Sequence, residues 1–257
     1  MRPSTEEQTL FYEEFGKGKP LFLLHGFLEN RTMWEPFIAH LSTRNHVFVV
    51  DLPGHGQSPV LEGSNTMDRM AQQVFKIVQE HHLNEVSLVG HSMGGYVALA
   101  FAKLYTQYVN GICLLNSTPK ADTQERVALR KHGIQVAEKN YEALVSMSVA
   151  NLFSKELRKD LAEVIAHTKQ EALKTPLEGY VEAQKGMMLR FDATAIWREA
   201  SFQKWMLLGA QDTLIDAQGL RAELESESIK IEVLKGGHML HIENFEGVLS
   251  SLQVFCE

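Results

Sequence analysis

Residues 86–100 read Val86-Ser87-Leu88-Val89-Gly90-His91-Ser92-Met93-Gly94-Gly95-Tyr96-Val97-Ala98-Leu99-Ala100, and no other stretch narrows the possible folds as far. An apolar run with the length of a buried strand passes through G-H-S-M-G and continues as a helix of small residues. A serine between two glycines at a strand-to-helix turn is a nucleophile elbow. The turn is so sharp that the serine backbone is strained. Side chains two positions before and after it would collide with neighbouring elements, which is why Gly90 and Gly94 stand there. The serine hydroxyl is thereby raised above a sheet at the start of a helix. The first N–H groups of that helix have no partner and can receive a developing oxyanion. G-x-S-x-G also arises by chance in glycine-rich loops, so the rest of the chain has to agree.

Residues 9–15 alternate apolar and polar and read as an edge strand. A turn at residues 16–20 and a hairpin then bring in Leu21-Phe22-Leu23-Leu24-His25, a continuous apolar run expected of a strand buried on both faces. It ends in His25-Gly26-Phe27. A glycine there lets the backbone turn so that the Phe27 N–H joins that of Met93 in a two-donor oxyanion hole. An ordinary β-turn is the alternative. Residues 30–41 have helical spacing with Trp34 on the apolar face, as core. Residues 46–51 form another buried strand, followed by the Pro/Gly loop Asp51-Leu52-Pro53-Gly54-His55-Gly56-Gln57-Ser58. Asp51 reads as a carboxylate that accepts local N–H bonds, with an acid role as the alternative; His55 reads as structural. An amphipathic helix over 67–82 leads into the elbow strand, and residues 111–116 form the strand after it. This alternation predicts a parallel sheet with crossover helices, its active site at the carboxyl ends of the strands.

Residues 118–199 contain no strand-like run. Helical periods cover 125–138, 141–149, 155–168 and 178–188, punctuated by Pro176, Gly179 and Gly186. The expectation is a helical cap inserted over the strand ends, dividing the core into residues 1–117 and 200–257. Met147, Met187, Met188 and Leu189 either roof a pocket or simply pack. The sheet resumes at 204–209 and 229–234. Asp212 follows the first of these strands, and Gly236-Gly237-His238 follows the second. A helix closes the chain to about residue 254.

A serine hydroxyl needs a base within reach, and the base needs an acceptor that fixes its tautomer. Ser92, Asp212 and His238 supply these parts on loops after successive strands. The rivals are weaker. His91 adjoins Ser92 and points away from it; His241 lies three residues beyond His238; Asp216 is a lesser alternative to Asp212. Arg190 reads as a salt-bridge residue, with a substrate carboxylate as its alternative partner. No metal-ligand spacing or cofactor motif is present, and the two cysteines, Cys113 and Cys256, offer no disulfide framework. A reducing cytoplasm is expected. The formal net charge of −7 disfavours nucleic acid and offers no polybasic membrane patch. Residues 1–8 lack the apolar core of a signal peptide, and no run approaches the length of a membrane helix.

Five pieces in one order, His25-Gly26-Phe27, residues 51–58, Gly90–Gly95, Gly209-Ala210-Gln211-Asp212 and Gly237-His238, make the chain resemble the α/β-hydrolase superfamily over essentially its whole length. That resemblance implies a mostly parallel sheet flanked by helices, Ser92 as nucleophile, His238 as general base and then acid, and Asp212 as its orienting partner. It also implies an oxyanion hole at the Phe27 and Met93 N–H groups. The expected reaction is cleavage of a small carboxylic ester or thioester without a cofactor or metal. Capped relatives with the same triad instead cleave C–C bonds, act as lyases, or serve as small-molecule receptors. Two details depart from the pattern. Asn116 stands where some relatives carry an acid and cannot serve as one. Phe245 stands where many carry proline, which bears on the helix after the histidine loop.

Overall fold

The computed structural model describes residues 9–61 and 63–257; the reading of residues 1–8 lies outside them. Seven strands form one sheet: β1 (Tyr12–Phe15), β2 (Lys19–Leu24), β3 (Asn45–Val50), β4 (Val86–His91), β5 (Val109–Leu115), β6 (Gln203–Gly209) and β7 (Ile229–Leu234). Their spatial order is β1-β3-β2-β4-β5-β6-β7. All neighbours are parallel except β1, which runs antiparallel to β3. The expected hairpin between β1 and the following strand does not form. The β2 strand is apolar on both faces and takes an interior place between β3 and β4. The alternating β1 goes to the sheet edge, where one side can face water.

Along the interior strands, successive side chains enter opposite layers. Phe22, Leu24, Phe48, Val50 and Leu88 pack in one core beneath α2 (Met67–Glu80) and α3 (Met93–Tyr105). Leu21, Leu23, Val47, Val49 and Val89 pack in the other, against Trp34 and α1 (Glu35–Leu41). Trp34 is fully buried, as core. It lies in a 3-10 turn, Arg31–Trp34, so the helix expected over 30–41 starts late; Pro36 suits its first turn. Both buried faces explain why β2 to β5 are nearly continuous apolar runs.

Five helices lie between β5 and β6: α4 (Gln124–Ala137), α5 (Tyr141–Leu152), α6 (Ala162–Leu173), α7 (Leu177–Met188) and α8 (Thr194–Glu199). They have their own small core, in which Val145, Val149, Phe153, Ile165 and Tyr180 meet Leu28 and Met239 from the strand-end loops. Two expectations fail here. Residues 155–161 form turns, because Lys155, Glu156, Lys159 and Asp160 leave too little apolar surface to pin a helix. The short α8, organised around buried Trp197, goes undetected by period. The chain finishes with α9 (Ala217–Leu224), α10 (Leu240–Glu243) and α11 (Phe245–Phe255), the last packing in the Trp34 layer. Without proline at 245, α11 starts through its Asn244 cap, whose side chain accepts from the Gly247 N–H at 3.2 Å. No helix among the described residues is long and apolar enough to cross a membrane.

Candidate active site

The chain leaves β2 for β3 on one side and later crosses to β4 on the other, so the loops after β2 and β4 flank a topological switch point. Ser92 stands between β4 and α3 with φ 49° and ψ −111°, a strained conformation for a residue with a side chain. The glycine argument holds atom by atom. A Cβ on Gly90 would lie 2.4 Å from the backbone of Gly94 and Gly95, and one on Gly94 would lie 2.3 Å from the Leu24 carbonyl oxygen. The Ser92 N–H donates to the Leu115 carbonyl at 2.9 Å, and the Ser117 hydroxyl donates to the Ser92 carbonyl at 2.8 Å. Both bonds tie the elbow to β5.

Ser92 Oγ lies 2.9 Å from His238 Nε2, and His238 Nδ1 lies 2.8 Å from Asp212 Oδ2. A carboxylate only accepts, so the ring proton sits on Nδ1 and Nε2 is free to accept from the serine hydroxyl. Asp212, fully shielded at its side chain, also accepts from the N–H groups of Leu214 and Ile215. Burial works against its charge, but His238 and hydrogen bonds from His238, Asn116 and Leu214 outweigh that and hold its carboxyl below the ordinary value.

Asn116 has more to do than the sequence indicates. Its Nδ2 donates to Asp212 Oδ2 at 2.7 Å and to the Gly237 carbonyl at 3.0 Å, bridging the acid to the histidine loop. Its φ of 44°, which asparagine tolerates better than most residues, aims the side chain there. No local sequence signal announces this contact.

The other predicted residues take structural roles. Asp51 is buried and accepts from the N–H groups of Arg31 and Gln57. His55 sits against the Pro53 carbonyl. Asp216 caps α9 by accepting from the Gly219 N–H. Arg190 pairs with Asp122 at 2.6 Å and lies over the Tyr96 ring. His91 and His241 are both buried and neither bonds Ser92 Oγ.

Above the serine is a cavity of about 450 Å³. Ser92 and His238 reach it from the strand ends, together with Phe27 from the loop after β2. Leu129, Val136, Leu144, Met147, Tyr180 and Met187 reach it from α4, α5 and α7. Met147 and Met187 therefore line a cavity, whereas Met188 and Leu189 do not. Arg130, at the same wall, is held by Asp122 and Gln184. Met93 opens α3, so its N–H has no intrahelical acceptor. The α5 end is fastened to the histidine loop, where the His238 N–H donates to the Leu152 carbonyl at 2.9 Å.

The family described as alpha/beta hydrolase fold matches residues 19–245. The chain belongs to that family. It is 30% identical over 125 residues to an (E)-2-((N-methylformamido)methylene)succinate hydrolase of Acinetobacter baylyi, a match covering 49% of this chain and 48% of that one. The chain thus spans about half the length of that relative. It is 24% identical to a 3-oxoadipate enol-lactonase from the same organism, covering 86% of this chain and 85% of that one. Among solved α/β-hydrolase structures, a thermophilic esterase from Thermogutta terrifontis superposes with a TM-score of 0.89 at 29% identity, covering 96% and 92% of the two chains.

Proposed function

We propose that the protein is a serine hydrolase of small carboxylic esters or thioesters. The observation that carries this reading is the unbroken chain of contacts from Ser92 Oγ through His238 to Asp212 at the floor of an apolar cavity. Relatives that are an enol-lactonase and an esterase support the same bond class. In this reading Ser92 Oγ attacks the acyl carbon as its proton passes to His238 Nε2. Asp212 steadies the imidazolium that results. The oxyanion is received by the N–H groups of Phe27 and Met93, each worth about 3–4 kcal/mol of barrier in sites of this kind. His238 then protonates the leaving alcohol or thiol. Water attacks the acyl-enzyme, gives its proton to His238, and the acid leaves as Ser92 is restored.

Residues 118–199 act as the cap of this site over a core of residues 1–117 and 200–257. Its leucine, valine and methionine side chains favour an apolar acyl chain, and Arg126 and Arg130 stand at the same cavity. Steady-state hydrolysis of p-nitrophenyl esters of increasing acyl length, wild type beside Ser92→Ala, tests the reading. Sustained turnover lost in the variant is the expected result. A single stoichiometric burst would point to a receptor. No turnover in either protein would turn attention to C–C cleavage or a lyase reaction.

A further inference from the structure

Beside the serine lies a buried group of four ionisable side chains that the proposed reaction does not use, Glu29, His91, His241 and His25; Glu29 and His91 also border the cavity. The His91 ring has an acceptor at each nitrogen. Nδ1 lies 2.7 Å from Glu29 Oε2, and Nε2 lies 2.9 Å from the carbonyl oxygen of His238. A carbonyl can only accept, so Nε2 carries a proton. Glu29 Oε2 also accepts from the Gly26 N–H at 2.6 Å, a bond that favours the carboxylate. Burial among these histidines still leaves the Glu29 carboxyl below its ordinary value, and opposite a carboxylate Nδ1 carries a proton as well, which makes the ring a cation.

We propose that Glu29 and His91 form a buried ion pair that positions the oxyanion loop, the serine elbow and the histidine loop relative to one another. This inference rests on the serine-hydrolase reading above. The pair touches all three loops. Glu29 holds the Gly26 N–H on the β2 loop. His91 immediately precedes Ser92. Its Nε2 holds the His238 carbonyl, while the His238 ring meets Ser92. The next peptide is fixed too: the Gly26 carbonyl accepts from His25 Nδ1 at 2.7 Å and from the Glu29 N–H at 3.3 Å. In a trans peptide the N–H points opposite to the C=O, so anchoring that carbonyl aims the Phe27 N–H the other way.

Gly26 supplies an independent sign. Its φ is not positive, so the turn does not require glycine. A Cβ there would instead meet Glu29 Oε2 at 2.5 Å and His91 Nδ1 at 2.8 Å. The glycine makes room for the pair, a role that its reading as a turn residue did not include.

The surroundings favour the charged pair. Burial alone would neutralise His91, but Glu29, the His238 carbonyl and Asp212 raise its pKa above the ordinary value. Burial likewise opposes the charge of Glu29, and the charge of His91 and its hydrogen bond outweigh it. The His241 ring packs 4.9 Å from His91, with Nε2 3.8 Å from Glu29 Oε1; burial pushes its pKa down to about 3, so it stays neutral. Glu29, His91 and His241 have donor atoms within 4.8 Å of one another, as a metal site would. Both His91 nitrogens are engaged as donors, however, leaving no lone pair for an ion.

Nitrogen-15 NMR of the wild-type chain at about pH 8, above the ordinary histidine range, reads the pair directly. The expected spectrum has both His91 ring nitrogens protonated, with slowly exchanging N–H protons. A neutral His91 overturns the proposal whatever the activity, as does a stoichiometric zinc ion bound by wild type and lost in Glu29→Gln. Kinetics on p-nitrophenyl acetate read the consequence. Glu29→Gln should lower kcat by about 10- to 100-fold, the scale expected when a reacting group is misplaced by about 1 Å, with KM within about twofold. Glu29→Asp, which keeps the charge, should recover part of kcat. An unchanged kcat in folded Glu29→Gln refutes the positioning role. Wild type without Ser92-dependent turnover refutes the hydrolase reading and the positioning role with it, while the His91 spectrum separately decides the ion pair.

Discussion

The strand-end loops and the helices of residues 118–199 face one cavity but hold their side chains differently. In the loops, position is a backbone property. Gly90 and Gly94 let the elbow approach within contact of β2 and α3, and His25, Asp51 and Asn116 are fully buried and hydrogen-bonded to neighbouring loops. In the helices, the cavity lining is mixed: Tyr180 and Met187 are buried, whereas Leu129 is 63% exposed and Met147 61%, and those two are loosely held. The difference separates two tasks. Bond-making atoms sit where a shift would break several buried hydrogen bonds, while the walls that meet the substrate can change at small cost to the fold.

If that division holds, the largest effects come from the loops. Ser92→Ala and His238→Ala should each lower kcat by about 10⁴- to 10⁶-fold with the folded chain intact, checked by turnover beside circular dichroism. Asp212→Asn should cost about 10³- to 10⁴-fold, because an amide at that place can leave the His238 proton on the wrong nitrogen. Asn116→Ala, which removes only a donor to Asp212, should cost less, and a larger loss there would make Asn116 rather than Asp212 the group that holds His238.

Acid should next strain the loops before the helices. Burial lowers the pKa of His25 to about 4, and of His55 and His241 to about 3. A lowered folded pKa means that the unfolded chain binds protons the folded chain refuses, from about pH 6.5 downward. Stability contributed by these neutral histidines is therefore full above about pH 6.5 and falls by several kcal/mol on the way to about pH 4. His91 has the opposite sign, its stabilisation being full below about pH 6.5 and lost only as pH rises through its raised value. Thermal melts between about pH 8 and pH 4 should thus drop on the acid side. A flat profile there would mean that these rings are not buried neutral.

The same division explains what could be read from the residues alone. Buried parallel strands are apolar on both faces, so β2 to β6 stand out as runs, and the elbow is visible because a sharp turn needs small residues at set positions. Ser92, Asp212 and His238 follow from strand ends. Asn116 and Glu29 do not, because their partners lie 96 and 62 residues away in sequence and their contacts depend on how loops meet. The placement of β1 against β3 was equally hidden, since a strand's neighbour is not given by sequence adjacency. In the helical segment, residues 155–161 keep a helical period but lack apolar surface to dock, and period alone cannot distinguish the two.

The gentlest test lies at the cavity wall. Leu129 and Met147 are exposed side chains on α4 and α5, so truncation to alanine should change stability by no more than about 0.5 kcal/mol, checked by chemical denaturation. Both nevertheless line the cavity, and a methylene in a hydrophobic pocket is worth about 1–3 kcal/mol of discrimination. Leu129→Ala and Met147→Ala should therefore alter the ratio of kcat/KM between short and long p-nitrophenyl esters by about tenfold, toward longer chains, with the best kcat little changed. The two readouts oppose each other by design. A large stability loss with unaltered chain preference would show that these residues hold the helices together rather than face the substrate, and the contrast between loops and helices would collapse into a single packed unit.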